Sequence, residues 1–162
     1  MTRPRLMRIF SKARKKSYNR RNKQDYSEQK MIGLDTNILV RLVTKDDPHQ
    51  LTQILTFLSG AKTNSIPLFI NYIVLCELVW VLKSGYKYPK NTIASFLNDL
   101  SHTQEIFFPN KEVVREAIEL YKKGKEDFSD YLTFTHNKKK GCSLTYSFDT
   151  QLIKEKIFHL PS

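Results

Sequence analysis

From residue 31 onward, short apolar runs that stop at polar residues alternate with longer segments of helical periodicity. Ile32-Gly33-Leu34 ends at Asp35-Thr36-Asn37 and reads as a buried strand. Ile38 to Val43 continues as a short apolar helix. Asp46-Asp47-Pro48 starts another, with a capping carboxylate and Pro in the first turn, followed by Leu51, Ile54, Leu55 and Leu58 at helical spacing. Pro67 to Ile70 predicts a second strand, and Asn71 caps a helix through Ile73, Val74, Leu78, Val81 and Leu82 to Gly85. Ile93, Phe96, Leu97 and Leu100 mark the next helix, and Glu105 to Phe108 a third strand. Asn110 caps a helix bearing Val113, Val114, Ala117, Ile118 and Tyr121. Asp127 opens a helix ending near Lys138–Lys140 and Gly141. Cys142 to Tyr146 reads as a fourth strand, Asp149 as the start of the last helix, and Ile157 to Leu160 as an edge strand. Strands alternating with helices predict an α/β fold: a three-layer α/β/α sandwich around a mostly parallel sheet of four to five strands.

Composition divides the chain in two. The formal net charge is +11, from 27 Lys and Arg against 16 Asp and Glu. Residues 1–30 carry 11 of the basic side chains and only Asp25 and Glu28, a net +9, whereas residues 31–162 carry a net +2. The first thirty have few apolar positions to offset the entropy of ordering, which predicts a basic, disordered extension. Three readings of it stay open: an arm that grips RNA phosphates, an Arg-rich targeting segment, or a start-site artefact with Met31 as the true first residue. Residues 31–162 form the second unit, a folded domain. With two cysteines, Cys76 and Cys142, the chain has neither a disulfide scaffold nor a Cys-rich zinc site. Both are expected to be buried reduced thiols, which suits the cytoplasm. The longest apolar stretch, around residues 72–82, is interrupted by Glu77 and too short to span a bilayer.

The acids carry the chemistry. In an open parallel sheet, ligands bind beyond the carboxyl ends of the strands. Asp35 ends the first strand and Asp149 follows the fourth, so adjacent strands would bring both to one rim. Asp127 and Asp130, three apart, share a helix face. Glu77 lies among Ile73, Val74, Trp80 and Val81, where a charge is costly unless paired or metal-bound. Each acid also has a plain reading: Asp35, Asp127 and Asp149 as helix caps, and Glu77 on a solvated face. One shared site replaces four separate explanations. Converging carboxylates repel unless a cation neutralises them, and oxygen-only ligands select Mg²⁺ or Mn²⁺. That donor set suits metal-assisted attack of water on a phosphodiester.

Five segments in order resemble the VapC-type toxins of the PIN-domain ribonucleases: 31–41 (MIGLDTNILVR), Asp46-Asp47-Pro48 with Gln50, 73–82 (IVLCELVWVL), 124–132 (GKEDFSDYL), and Gly141-Cys142 with Thr145, Ser147, Phe148 and Asp149. The resemblance covers nearly all of residues 31–160. It implies a Mg²⁺-dependent endoribonuclease (Mn²⁺ substituting), the toxin of a type II toxin–antitoxin system. Such a protein has a cognate antitoxin and an RNA substrate, commonly forms a homodimer, and needs no membrane. Asp35, Glu77, Asp130 and Asp149 fall on the family's acidic quartet, and Asp127 on a frequent additional acid. Asp35 and Asp130 would bind metal directly, Asp149 would complete the set, and Glu77 would bind metal or orient the attacking water. Asn37 and Thr145 or Ser147 would hydrogen-bond the carboxylates. Cleavage would leave a 5′-phosphate and a 3′-hydroxyl. His49, His102, His136 and His159 match none of these motifs. Thr133-Phe134-Thr135 stands where the family commonly has small or aliphatic residues.

Lys122, Lys123 and Lys125 precede the Asp127/Asp130 pair and are the candidates for RNA phosphate contacts. Lys138–Lys140 should lie at the opposite end of their helix. Tyr86 and Tyr88 are candidates for stacking on unpaired bases. Two other functions stay open: an aspartate-based phosphatase or phosphotransfer domain, although Asp35-Thr36-Asn37 lacks that motif's second aspartate, and a non-catalytic RNA-binding module. We expect Met31–Ser162, produced alone, to give a cooperative thermal transition and to keep any nuclease activity. Its RNA affinity should fall only in the salt-dependent part, measured by titration across ionic strength.

Overall fold

The computed structural model describes residues 31–161; the basic extension of residues 1–30 lies outside them. The chain is α/β with a parallel sheet. Strand β1 is Ile32–Gly33, β2 is Leu68–Phe69 and β3 is Ile106–Phe107, in the order β1-β2-β3. Ile32 and Gly33 pair with Leu68 and Phe69, which pair in turn with Ile106 and Phe107. The ladder continues past the strands, with Leu34 N donating to Phe69 O (2.8 Å) and Ile70 N to Phe107 O (2.9 Å). On the central strand Leu68 and Ile70 are buried and Phe69, facing the other way, is half-buried, so both faces of the sheet are covered.

Helix α1 (Thr36–Thr44) follows β1, α2 (Pro48–Thr63) leads to β2, and α3 (Tyr72–Trp80) leaves β2. A π-helical turn over Val81–Gly85 extends α3. Helix α4 (Lys90–His102) precedes β3; α5 (Lys111–Lys123), α6 (Phe128–Lys139) and the short α7 (Thr150–Lys154) complete the chain. The caps follow the sequence. Asp47 accepts from Gln50 N, Asn71 from Val74 N, and Asn110 from both Glu112 N and Val113 N. Arg41 spans Asp46 (2.8 Å) and Gln50 (2.9 Å), and Tyr86 donates to Asp46 at 2.5 Å. Thus the Asp46…Gln50 segment is a structural joint between α1, α2 and the loop after the π turn, and the Tyr86 hydroxyl is engaged there. These bonds hold the Asp46 carboxyl below its usual range, Tyr86 contributing most, then Thr44 and Arg41.

One hydrophobic cluster joins the strands to the helices, with Leu39, Leu68, Ile70, Leu75, Leu78, Leu82, Tyr121, Phe128 and Tyr131 almost wholly buried. Helices α5 and α6 form the most extensive helix pairing. All five apolar α5 positions named from the periodicity are buried there. Tyr121 meets Phe128 edge-on at 5.7 Å. Thr135 is buried beneath α5, its hydroxyl donating to Tyr131 O (2.9 Å) and Leu132 O (3.1 Å), so the polar 133–135 run fits without a stranded hydroxyl.

Three expectations are corrected. Among the described residues the sheet has three strands, not four or five. After Gly141, whose φ is +89°, Cys142 N donates back to Asn137 O at the end of α6. Residues 142–146 then make only one parallel bridge, Tyr146 with His159, and this is also all that remains of the expected edge strand. Leu144 and Tyr146 are exposed, so no burial rewards further pairing. The neighbour of β1 is therefore β2 rather than a fourth strand. Cys142 is exposed and Cys76 half-buried, so only Cys76 has the packed setting expected of both. Lys138 and Lys139 do more than face a helix dipole, pairing with Glu116 (2.9 Å) and Glu112 (2.7 Å) of α5.

Replacing Asn110 with Ala removes an acceptor serving two N–H groups at the start of α5. The loss should be about 1 kcal/mol, read as a fall of roughly 2–4 °C in the thermal midpoint.

Candidate active site

Asp35 follows β1 with extended backbone (φ −87°, ψ 162°), and its side chain makes no cap bond to α1. The cap reading therefore does not account for its carboxylate, which stays exposed, with Asn37 Nδ2 at 3.4 Å. The next residue, Thr36, is buried (3% exposed), and its hydroxyl donates to Glu77 Oε2 at 2.5 Å. One strand end thus presents Asp35 and orients the acid of α3. Of the two settings open for Glu77, the structure gives the solvated face, not one among buried apolar residues. Ile73 (77% exposed) and Trp80 (66% exposed) share its helix face, so Glu77 stands on an open, partly apolar surface.

A second group of acids lies at the start of α6. Asp127 occupies the N-cap position without a side-chain cap bond; its carboxylate instead pairs with Lys83 of the π turn. Asp130 is half-buried. Loss of water raises its pKa first, and the charges of Asp127 and Asp149 raise it further. Glu126 is likewise raised, by burial and then by Glu155, Asp149, Asp130 and Asp127. Asp130 also helps burial push up the thiol of Cys76, the residue before Glu77. Five carboxylates therefore share one electrostatic neighbourhood: Glu126, Asp127, Asp130, Asp149 and Glu155. Cys76 links it to the Asp35–Thr36–Glu77 side.

Asp149 caps α7, accepting from Gln151 N (2.8 Å) and Leu152 N (3.4 Å), so its cap reading holds alongside its place near Asp130. Ser147 accepts from the Asp149 backbone N (3.0 Å), placing the acid through the main chain. Thr145 accepts from Asn137 (3.2 Å) rather than touching a carboxylate. Lys122 is engaged by Glu119 (2.6 Å), while Lys123 and Lys125 are exposed beside the acid turn. His49, His102 and His159 are exposed, and His136 meets Tyr72 edge-on at 5.3 Å.

The family model of the PIN domain matches residues 32–156. The chain belongs to the PIN domain family. It is 28% identical over 121 residues to the VapC ribonuclease of Aquifex aeolicus (strain VF5), an alignment covering 75% of this chain and 89% of that protein. No solved structure matches it. In this PIN domain no three His, Cys, Asp or Glu groups among the described residues stand close enough to hold one ion together. The donor chemistry nonetheless fits a hard divalent cation: the gathered groups are carboxylates, and Asp130 and Glu126 bear a like-charge cost that positive charge would reverse. Four contributing residues escaped the sequence reading. Thr36 lay inside the quoted Asp35-Thr36-Asn37 motif, whereas Lys83, Glu126 and Glu155 carried no local pattern that tied them to it.

Because folding raises the Asp130 pKa, the native state binds its proton more tightly than the unfolded chain does. Stability therefore falls as pH rises through that window, and the ionised group is a burden at neutral pH. Asp130→Asn should raise the thermal midpoint by about 1–3 °C at pH 7.5. The gain should shrink at acid pH, where the wild-type carboxyl is protonated. Melting curves across pH check both.

Proposed function

We propose that the protein is a Mg²⁺-dependent endoribonuclease, the toxin of a type II toxin–antitoxin pair. The observation that carries the reading is the meeting of Asp130 with Asp127 and Asp149 in one electrostatic neighbourhood, joined through Cys76 to Glu77, in a chain matched as a PIN domain. The name of the similar VapC ribonuclease supports both RNA as substrate and the toxin role.

Asp35, Asp130 and Asp149 would hold the ion, with Asp127 able to join them. When bound, a divalent cation screens charge at the scissile phosphate and makes water a better nucleophile at neutral pH. Glu77, held by the Thr36 hydroxyl, would orient that water, and Asn37 would steady Asp35. Lys123 and Lys125, exposed beside the acid turn, would meet phosphates on either side of the cleaved bond. The exposed Ile73 and Trp80 beside Glu77 suit a protein partner, an antitoxin or a second copy. No helix among the described residues is long and apolar enough to cross a membrane.

Asp35→Asn keeps the side-chain shape and removes the charge. We expect it to lower Mg²⁺-dependent RNA cleavage by at least about 10²-fold and to relieve growth arrest on expression. Wild-type products should carry 5′-phosphates, detected by ligation or end-labelling. Undiminished cleavage by the variant would overturn the site.

A further inference from the structure

The turn between α5 and α6 delivers Asp127 and Asp130, and it is held at three successive residues. Lys90 Nζ donates to Gly124 O at 2.6 Å while lying 4.4 Å from the centroid of the Tyr121 ring. Lys125 N donates to Glu155 Oε1 at 2.8 Å. Glu126 N donates to the Tyr131 hydroxyl at 3.2 Å, and that hydroxyl donates to Glu155 Oε2 at 2.5 Å. Both oxygens of Glu155 are therefore used, one on the turn and one on a buried side chain of α6.

Glu155 directly follows α7, and Asp149 caps the other end of that helix. The helix is only five residues long, Thr150–Lys154, so its two ends move together. Tying Glu155 to Lys125 and Tyr131 thus ties Asp149 to Asp127 and Asp130. Position 124 must be glycine for this: a Cβ there would lie 1.7 Å from the Tyr131 hydroxyl and 2.9 Å from Glu155 Oε2. Without Glu155, the acid-bearing ends of α6 and α7, which repel one another, would lose this direct hydrogen-bonded tie between the elements that carry them.

We propose that Glu155 is a positioning residue that fixes Asp149 against the Asp127/Asp130 turn and so sets the divalent-cation affinity of the acid group, with the Tyr131 hydroxyl as its partner. The proposal rests on the metal-dependent reading above. Glu155 is itself an acid, and removing any nearby negative charge weakens cation binding without involving geometry. Two variants separate these effects. Tyr131→Phe changes no charge and keeps the buried ring. Glu155→Gln removes the charge but keeps an amide oxygen for Lys125 N.

The test measures Mn²⁺ binding to the full chain by calorimetry or by the electron paramagnetic resonance signal of the free ion. Mg²⁺ dependence of RNA cleavage is recorded in parallel. Glu155→Ala and Tyr131→Phe should each weaken Mn²⁺ binding by about 10-fold, the scale of lost groups that orient metal ligands, and Glu155→Gln by only about 3-fold. Activity should return toward wild type as the cation saturates. Leu58→Ala, a core truncation in α2, is the control: it should lower the thermal midpoint and leave the Mn²⁺ affinity unchanged. An unaltered affinity in Tyr131→Phe, or Gln at 155 behaving like Ala, would overturn the clamp while leaving the nuclease reading intact. A wild-type chain that binds no Mn²⁺ would overturn both.

Discussion

Like charges brought together out of bulk water raise one another's energy, and the organisation of this domain follows from carrying that cost at one place. Burial is the largest contribution to the raised pKa of Asp130, and the charges of Asp127 and Asp149 add to it. No carboxylate has to be half-buried for the fold's sake. The apolar cluster is already continuous through Phe128, Tyr131 and Leu132, on either side of Asp130 in the sequence. Native proteins retain locally unfavourable groups chiefly where chemistry needs them.

The surrounding bonds make sense as responses to that repulsion. Lys83, on a π-helical turn, reaches Asp127, and widened turns of this kind recur where a helix must present a side chain off its regular spacing. Asp149 is steadied by the N–H groups it caps, a partner that does not compete for the charge of the other acids. Lys90 is held over the Tyr121 ring with burial lowering its own pKa, and its donation to Gly124 O uses backbone rather than an acid as acceptor. Lys90 thus brings positive charge near Glu155, Asp127 and Glu126 without an ion pair to any of them. Anchoring at the Gly124 carbonyl and the Lys125 N–H holds the turn without drawing on the side chains of Asp127 or Asp130.

Much of this was legible in the sequence, for reasons specific to particular residues. The helices were fixed by local chemistry: Asn71 and Asn110 cap where their side-chain oxygens reach N–H groups two or three residues on, and the α5 stripe from Val113 to Tyr121 is wholly buried. The first three strands were short apolar runs flanked by polar residues, and they formed at the expected places. Cys142–Tyr146 has the same apolar look but lies beyond Gly141 with Leu144 exposed, and periodicity cannot report whether a partner strand is available. The expected cost of a charge at Glu77 met a related limit. Ile73 and Trp80 are large and apolar yet lie outside the core, and a sequence pattern cannot tell a buried apolar face from an exposed one. The long-range bonds of Thr36 to Glu77, 41 residues apart, and of Tyr131 to Glu155, 24 apart, had no local signature.

The net charge takes on a different meaning once the pairings are known. A surplus of basic residues suggests a polyanion binder, but many of the domain's lysines are spoken for: Lys83 by Asp127, Lys122 by Glu119, Lys138 by Glu116 and Lys139 by Glu112. These pairs are exposed and contribute little stability, roughly 0–1 kcal/mol each. Their effect is mainly on the field, since a paired cation is a weak attractor of a phosphate backbone. On the nuclease reading, a domain of net +2 would repel an approaching RNA strand where Glu126, Asp127, Asp130 and Asp149 gather. Attraction must then come from charge that is not internally neutralised. On the proposed reading, a cation held among the carboxylates would supply it, and exposed Lys123 and Lys125 would add to it alongside. The +9 of residues 1–30 adds a diffuse component that acts on any phosphate within a Debye length, about 10 Å at 0.1 M salt. Net charge on this chain is thus mostly that of residues 1–30, whereas the proposed chemistry would depend on the local balance between the acids and an ion.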